Sequence, residues 1–131
     1  MRLARLLALV GLLGCGDPPR ELNPMCHPDA ALTWESWGQG FVDTHCVGCH
    51  SSVIPLSQRR DAPLGVDFDT YRGVLQWAER IEVRTLLNAR LDDDEILLMP
   101  PGGGVTDEEL DMLEEWLQCS VFPDKAALEA R

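Results

Sequence analysis

Apolar residues recur at helical spacing near both ends of this chain. Near the start, Trp34, Trp37 and Phe41 fall at positions i, i+3 and i+7, which places them on one face of a helix. The pattern predicts a first helix that begins with Thr33 as its N-cap and runs to about His45.

Near the end, a capping box precedes a second apolar stripe. Thr106 can accept a hydrogen bond from the backbone of Glu109, whose carboxylate can reach back to Thr106. The apolar face of the helix that follows consists of Leu110, Leu113, Trp116 and Leu117. We expect residues 123–131 to form a tail that frays.

Helical spacing is also present between these two ends. Asp69 is a candidate N-cap for a middle helix, and a short helical segment is predicted over residues 82–88. The inward residues would be Tyr71, Val74, Leu75, Ala78, Val83, Leu86 and Leu87. Residues 51–68, which contain two prolines and a glycine, predict a loop without regular structure. The pattern therefore indicates one all-α domain, which we assign to residues 33–122.

The strongest chemical signal lies directly after the first helix, where residues 46–50 read C-V-G-C-H. In a C-x-x-C-H motif, two thiols three positions apart can each add to one vinyl group of a haem, and the adjacent imidazole ligates the iron. Cys46 and Cys49 are therefore the predicted attachment points of one covalent haem c, and His50 is the predicted iron ligand.

Two other chemistries use a C-x-x-C pair. A thioredoxin-like redox pair is expected within a βαβ pattern, which this sequence does not show. A zinc site needs four ligands, and beyond the motif only His27 and His45 are candidates. The fixed order of the three motif residues, with a candidate second axial ligand downstream, favours haem.

That second ligand is Met99, which opens the sequence M-P-P-G-G-G over residues 99–104. The prolines rule out a continuing helix, and the glycines permit tight backbone near a flat cofactor. A thioether on such a loop is well placed to bind the iron. Methionine also serves as core filler, and His27 and His45 are the alternative ligands.

The motif, Met99-Pro100-Pro101 and the amphipathic last helix together resemble a class I c-type cytochrome with a single haem, over about residues 33–120. The resemblance implies a small helical domain whose long loops wrap the haem and whose N- and C-terminal helices cross. It also implies one-electron transfer rather than enzymatic catalysis, because His50 and Met99 would leave the iron no open position.

Further positions carry this resemblance. Gly38 and Val42 stand eight and four positions before the motif, where the family's first helix meets its last, and Trp116 matches the aromatic partner in that crossing. The resemblance also implies that a backbone carbonyl at the position of Pro63 orients the ring of His50.

Two arginines of the loop, Arg59 and Arg60, are candidates to pair with the haem propionates. Arginines on a loop are more often exposed and solvated, and that is the state we expect for both.

Residues 1–14 have the features of a signal peptide. Arg2 and Arg5 precede an apolar run too short to span a bilayer, and L-L-G-C over residues 12–15 is typical of a lipoprotein signal. Cleavage there would leave Cys15 lipidated at the head of a flexible tether, residues 15–32; a plain secretory leader cleaved elsewhere is the alternative. We expect a membrane-anchored lipoprotein of the cell envelope or periplasm.

Two of the five cysteines remain after lipid and haem are assigned. Cys26 lies before the first helix and Cys119 after the last. In an oxidising compartment they favour a disulfide, which would contribute ~4 kcal/mol in the chain-entropy model. Two buried free thiols are the alternative.

The chain carries 22 acidic and 11 basic side chains, a formal net charge of −11. This balance argues against nucleic acid and against electrostatic binding to anionic lipid, and it favours redox partner proteins with a basic docking surface. The domain could be a free carrier or the subunit through which electrons enter a larger exported oxidoreductase. A haem peroxidase or gas sensor would need an open iron position and a distal acid or base, which the sequence does not indicate.

Overall fold

The computed structural model describes residues 25–27, 32–87, 89 and 98–131. Their regular structure is helical and includes no strand, as the all-α prediction requires. In chain order the elements are a π-helical turn Trp34–Gly38, α1 (Gln39–His45), a 3₁₀ turn Leu56–Gln58, α2 (Tyr71–Ile81), a π-helical turn Glu82–Leu87, α3 (Asp107–Trp116), a π-helical turn Leu117–Val121 and α4 (Phe122–Glu129). The predicted signal peptide and Cys15 lie outside the described residues.

The first helical segment begins where Thr33 was predicted to cap it. The Thr33 hydroxyl accepts a hydrogen bond from the backbone N–H of Ser36 at 3.1 Å, and the Ser36 hydroxyl accepts one from the Thr33 N–H at 2.9 Å. The reciprocal pair satisfies two backbone donors that would otherwise lack partners. The turn Trp34–Gly38 leads directly into α1, which buries Phe41 and Val42.

The capping box predicted for α3 is confirmed. The Thr106 hydroxyl accepts from the backbone N–H of Glu109 at 3.2 Å, and the Glu109 carboxylate accepts from the Thr106 N–H at 2.9 Å. All four apolar positions of the predicted stripe are buried: Leu110, Leu113, Trp116 and Leu117. They belong to one core whose other members include Phe41, Val42, Phe68, Val74, Ala78, Ile81, Leu86 and Val121.

The first helical segment contacts α3 at Gly38. A Cβ atom built on Gly38 would overlap the indole ring of Trp116, so only glycine fits there. Trp37 meets the same indole edge-on, with ring centroids 5.7 Å apart. Gly38 and Trp116 are therefore in direct contact, with no room for a side chain between them.

Two details of the middle helical region differ from prediction. α2 is capped by Thr70, whose hydroxyl accepts from the N–H of Gly73, because the Asp69 carboxylate accepts from the N–H of Ser52 at 2.6 Å. Leu87, expected to be inward, is exposed.

The C-terminal segment, predicted to fray, forms α4. Lys125 pairs with the Glu79 carboxylate of α2 at 2.6 Å, and the Tyr71 hydroxyl donates to Asp124 at 2.7 Å. These contacts fasten α4 onto α2.

Cys26 and Cys119 form a disulfide with their Cα atoms 5.4 Å apart. Nearby, the Ser120 hydroxyl donates to the carbonyl oxygen of Leu32 at 2.5 Å. The segment before the first helix is thus attached to the turn Leu117–Val121. Within the described ranges, no helix has the length and apolar character needed to cross a membrane.

Candidate functional site

The C-x-x-C-H motif forms a tight turn at the end of α1. The N–H of Cys46 donates to Val42 at 2.9 Å, and the N–H groups of Cys49 and His50 both donate to the carbonyl of Cys46, at 3.1 and 2.9 Å. Cys46 and Cys49 are free thiols, each half-buried. The turn thus holds two thiols and one imidazole in a short, hydrogen-bonded stretch of backbone.

Burial raises the pKa of the Cys46 thiol from 9.0 to about 12. At neutral pH the thiol is therefore protonated, whereas a reactive cysteine of a thioredoxin-like pair has a lowered pKa. The electrostatics of Cys46 do not suit that alternative.

One ring nitrogen of His50 is held by the backbone. Nδ1 lies 2.9 Å from the carbonyl oxygen of Val66, and because a carbonyl can only accept, Nδ1 carries the proton. In the neutral ring Nε2 then keeps its lone pair, the arrangement that a metal-binding histidine needs. Phe68 packs against the ring with centroids 4.9 Å apart, and its N–H donates to the His50 carbonyl at 2.9 Å.

The orienting carbonyl is not the one expected. The resemblance pointed to the position of Pro63, but the bond is made by Val66, three residues later. The Pro63 carbonyl instead accepts from the guanidinium of Arg59 at 2.7 Å. The predicted interaction is therefore present with a different residue supplying the acceptor.

Arg59 itself is buried, which overturns the expectation of a solvated side chain. It is 1 % exposed, and its guanidinium binds backbone carbonyls of the loop and pairs with Asp67 at 2.7 Å. Arg60, the next residue, is exposed as expected. The sequence offers no periodic signal in this loop that separates the two arginines.

Met99 is half-buried on a separate loop. Its N–H donates to the carbonyl of Arg84 at 2.8 Å, and Gly103 N–H donates to Pro100 at 3.0 Å. Gly102, Gly103 and Gly104 have φ of 96°, 75° and 99°, values that favour glycine. In the described structure no hydrogen bond, ion pair or ring contact joins Met99 to the motif; the two lie on different loops.

The alternative ligands His45 and His27 occupy other environments. His45 Nε2 lies 3.0 Å from a Glu109 carboxylate oxygen, which ties the end of α1 to the start of α3. His27 is exposed beside the Cys26–Cys119 disulfide.

The chemistry of the donor set suits a covalently attached haem. Cys46 and Cys49 are free to form thioethers, the bond from His50 Nδ1 to a carbonyl leaves Nε2 as the nitrogen that can ligate, and Met99 is a thioether on a glycine-rich loop. The described part of the chain, which includes His27, His45 and both motif cysteines, brings together no group of three His, Cys, Asp or Glu side chains that could hold a metal ion.

The sequence did not indicate Val66 as part of the site, and Arg59 was expected to be solvated, because their roles depend on where the loop folds and not on a motif. Comparison of the chain with protein-family models, with curated proteins and with solved structures finds no match.

Proposed function

We propose that this chain is a one-electron carrier with one covalently attached haem c, similar to a class I c-type cytochrome. The haem would be bound through Cys46 and Cys49, with His50 and Met99 as its axial ligands. When bound, the haem supplies an iron that takes up and releases one electron.

The observation that carries the proposal is the state of the C-x-x-C-H turn. Its two thiols are unoxidised and half-buried, and its imidazole is held in the tautomer that leaves Nε2 available. A protonated Nδ1 bound to a carbonyl fixes the ring orientation and increases its basicity as a ligand. All three side chains of the motif are thus in states suited to binding a haem.

Met99 would make the site closed to substrate. With both axial positions filled by side chains, the iron would have no open coordination position at which to bind and activate a small molecule. Methionine as a ligand also raises the reduction potential. The function is then electron transfer between proteins, and the chain is not itself an enzyme.

The packing of the helical ends supports a cytochrome-like arrangement. The close contact between Gly38 and Trp116 is at the positions expected for crossing terminal helices. Residues 51–68 contain only one short 3₁₀ turn, Leu56–Gln58, which is consistent with a loop that wraps one edge of a haem.

The cellular setting follows from the predicted leader and the charge. Lipid on Cys15 would anchor the domain at a membrane of the cell envelope by a flexible tether. The excess of acidic over basic side chains would attract a redox partner with a basic docking surface and would steer the encounter at low salt.

A visible spectrum tests the proposal. The chain is expressed with a haem-attachment system, and its reduced-minus-oxidised spectrum is recorded before and after addition of carbon monoxide. Sharp α and β bands that carbon monoxide does not shift are expected. A large shift would contradict the closed site and favour a gas sensor or peroxidase.

The matched control is the double variant Cys46→Ala/Cys49→Ala, which should lose covalent haem after acid–acetone extraction. Absence of haem bands from the wild-type protein would overturn the proposal altogether.

A further inference from the structure

The buried guanidinium of Arg59 gathers four backbone carbonyls of one irregular loop. Nε donates to Ala62 at 3.2 Å, one terminal nitrogen donates to Ser51 at 2.5 Å, and the other donates to Pro63 at 2.7 Å. The nitrogen that binds Ser51 also pairs with a carboxylate oxygen of Asp67 at 2.7 Å. A planar fork of five N–H donors can bind four carbonyls together, and a lysine ammonium with three donors cannot.

The fourth carbonyl connects Arg59 to the haem-binding motif. The terminal nitrogen that binds Pro63 also donates to the carbonyl oxygen of Val66 at 3.1 Å. The same oxygen accepts the Nδ1–H of His50 at 2.9 Å. The Val66 carbonyl oxygen thus accepts one hydrogen bond from Arg59 and one from His50.

We infer that Arg59 is a positioning residue for His50, acting through the carbonyl of Val66. Its consequence for iron ligation rests on the function proposed above; its effect on the imidazole does not.

The Val66 carbonyl depends on Arg59 because it lies in a described stretch without regular secondary structure. Residues 59–70 contain no helix or strand to fix the direction of a carbonyl. The charged, buried guanidinium has no solvent to replace its acceptors, so it holds them tightly. A carbonyl held in this way keeps the His50 ring in one orientation.

Proton exchange at the imidazole tests the inference. The protein is labelled with ¹⁵N-histidine, its Cys26–Cys119 disulfide is left intact, and the iron of any bound haem is kept ferrous. The exchange rate of the His50 Nδ1–H with solvent is then measured by NMR in Arg59→Gln, Arg59→Lys and Arg60→Gln. Arg60→Gln is the matched control, because it removes the same charge from the neighbouring residue, whose side chain is exposed.

Both Arg59 variants should exchange this proton at least tenfold faster than the wild type, and Arg60→Gln should stay within twofold. The exchange rates of the backbone N–H groups of α3 should remain unchanged in the Arg59 variants. An Nδ1–H rate within twofold of wild type in Arg59→Gln would overturn the inference. Equal acceleration at α3 would also overturn it, because Arg59 would then only stabilise the whole fold.

If neither Arg59 variant folds, Asp67→Asn decides. It weakens the ion pair that helps to hold the guanidinium in place, so the bond from Arg59 to the Val66 carbonyl should loosen and the Nδ1–H should exchange severalfold faster; an unchanged rate would contradict the inference. Because the measurement needs no haem, a wild-type protein without haem would refute the proposed function and still allow the role of Arg59 to be decided.

Discussion

At the scale of single residues, Met99 decides whether the proposed iron site is closed. In Met99→Ala the iron would keep His50 and lose the thioether, so the near-infrared sulfur-to-iron band should disappear and the reduction potential should fall. Carbon monoxide should then bind the reduced protein, which it should not do in the wild type. Optical titration at a controlled potential measures both effects.

Met112→Ala is the control for loss of a methionine. Met112 lies on α3 and is half-buried, and its removal should leave the near-infrared band and the carbon monoxide response unchanged. Retention of the band in Met99→Ala would show that another residue is the sixth ligand.

Glu109 makes the stability of the fold depend on pH. Its pKa is lowered from 4.5 to about 2, first by the hydrogen bond from the Thr106 N–H and then by His45. A carboxylate whose pKa is lower when folded stabilises the protein above its unfolded pKa, and this contribution is lost as the pH falls from about 4.5 to about 2.

Glu109→Gln keeps an amide oxygen for the capping box and removes the charge. We expect the free energy of unfolding at pH 7 to fall by about 1 kcal/mol, a figure reduced because the carboxylate is partly exposed. The difference from wild type should vanish near pH 2, measured by urea denaturation across the range. Glu108→Gln, an exposed acid in the same turn, should show a smaller pH-dependent difference; a loss in Glu109→Gln that is the same at every pH would contradict the assignment.

The residues of the candidate site were predictable to different degrees. His50 and the motif cysteines are identified by local order in the sequence, because the chemistry requires that spacing. Arg59 and Arg60 are neighbours with the same side chain, and only the folded loop makes one buried and the other exposed. The Val66 carbonyl carries no sequence signal at all, since every residue has a carbonyl.

At the scale of helical elements, Gly38 sets how closely the first helical segment approaches α3. Gly38→Ala would place a methyl group inside the Trp116 indole, so the free energy of unfolding should fall by about 1–3 kcal/mol, the cost of overpacking a core. Thermal or urea unfolding of the same preparation measures the change.

Gly40→Ala is the matched control on the same helix. No atom lies within 4 Å of a Cβ built there, so alanine should raise stability by as much as about 1 kcal/mol through its helix propensity. If the two alanine variants were equally stable, the contact at Gly38 would not restrict the approach of the helices.

Local signals predicted the starts of helices better than their anchoring. The caps at Thr33 and Thr106 are confirmed, because a cap depends on residues within one turn. α4 is held against α2 by the ion pair between Lys125 and Glu79, which are 46 positions apart. No local sequence pattern reveals such a contact. Proline in its first turn is compatible with this helix, since the missing N–H needs no intrahelical partner there.

At the scale of the whole molecule, the proposed lipid anchor on Cys15 would determine where the domain works. Cys15→Ala should leave the leader unprocessed at that position and remove the lipid-modified mass from the protein. Fractionation of the cell envelope and mass spectrometry of the N-terminus check both results. A variant that is processed normally and stays anchored would refute the lipoprotein assignment.

The disulfide joins the segment before the first helix to the turn Leu117–Val121. Cys26 and Cys119 are separated by 93 positions, so the bond restricts the unfolded chain over most of its length. The double variant Cys26→Ser/Cys119→Ser should lose about 4 kcal/mol of unfolding free energy in the chain-entropy model, measured by urea denaturation without reductant. A thiol reductant should bring the wild type to the stability of the variant and leave the variant unchanged. Alkylation of the denatured, unreduced protein should modify neither cysteine, and labelling of both would show that the bond does not form in the exported protein.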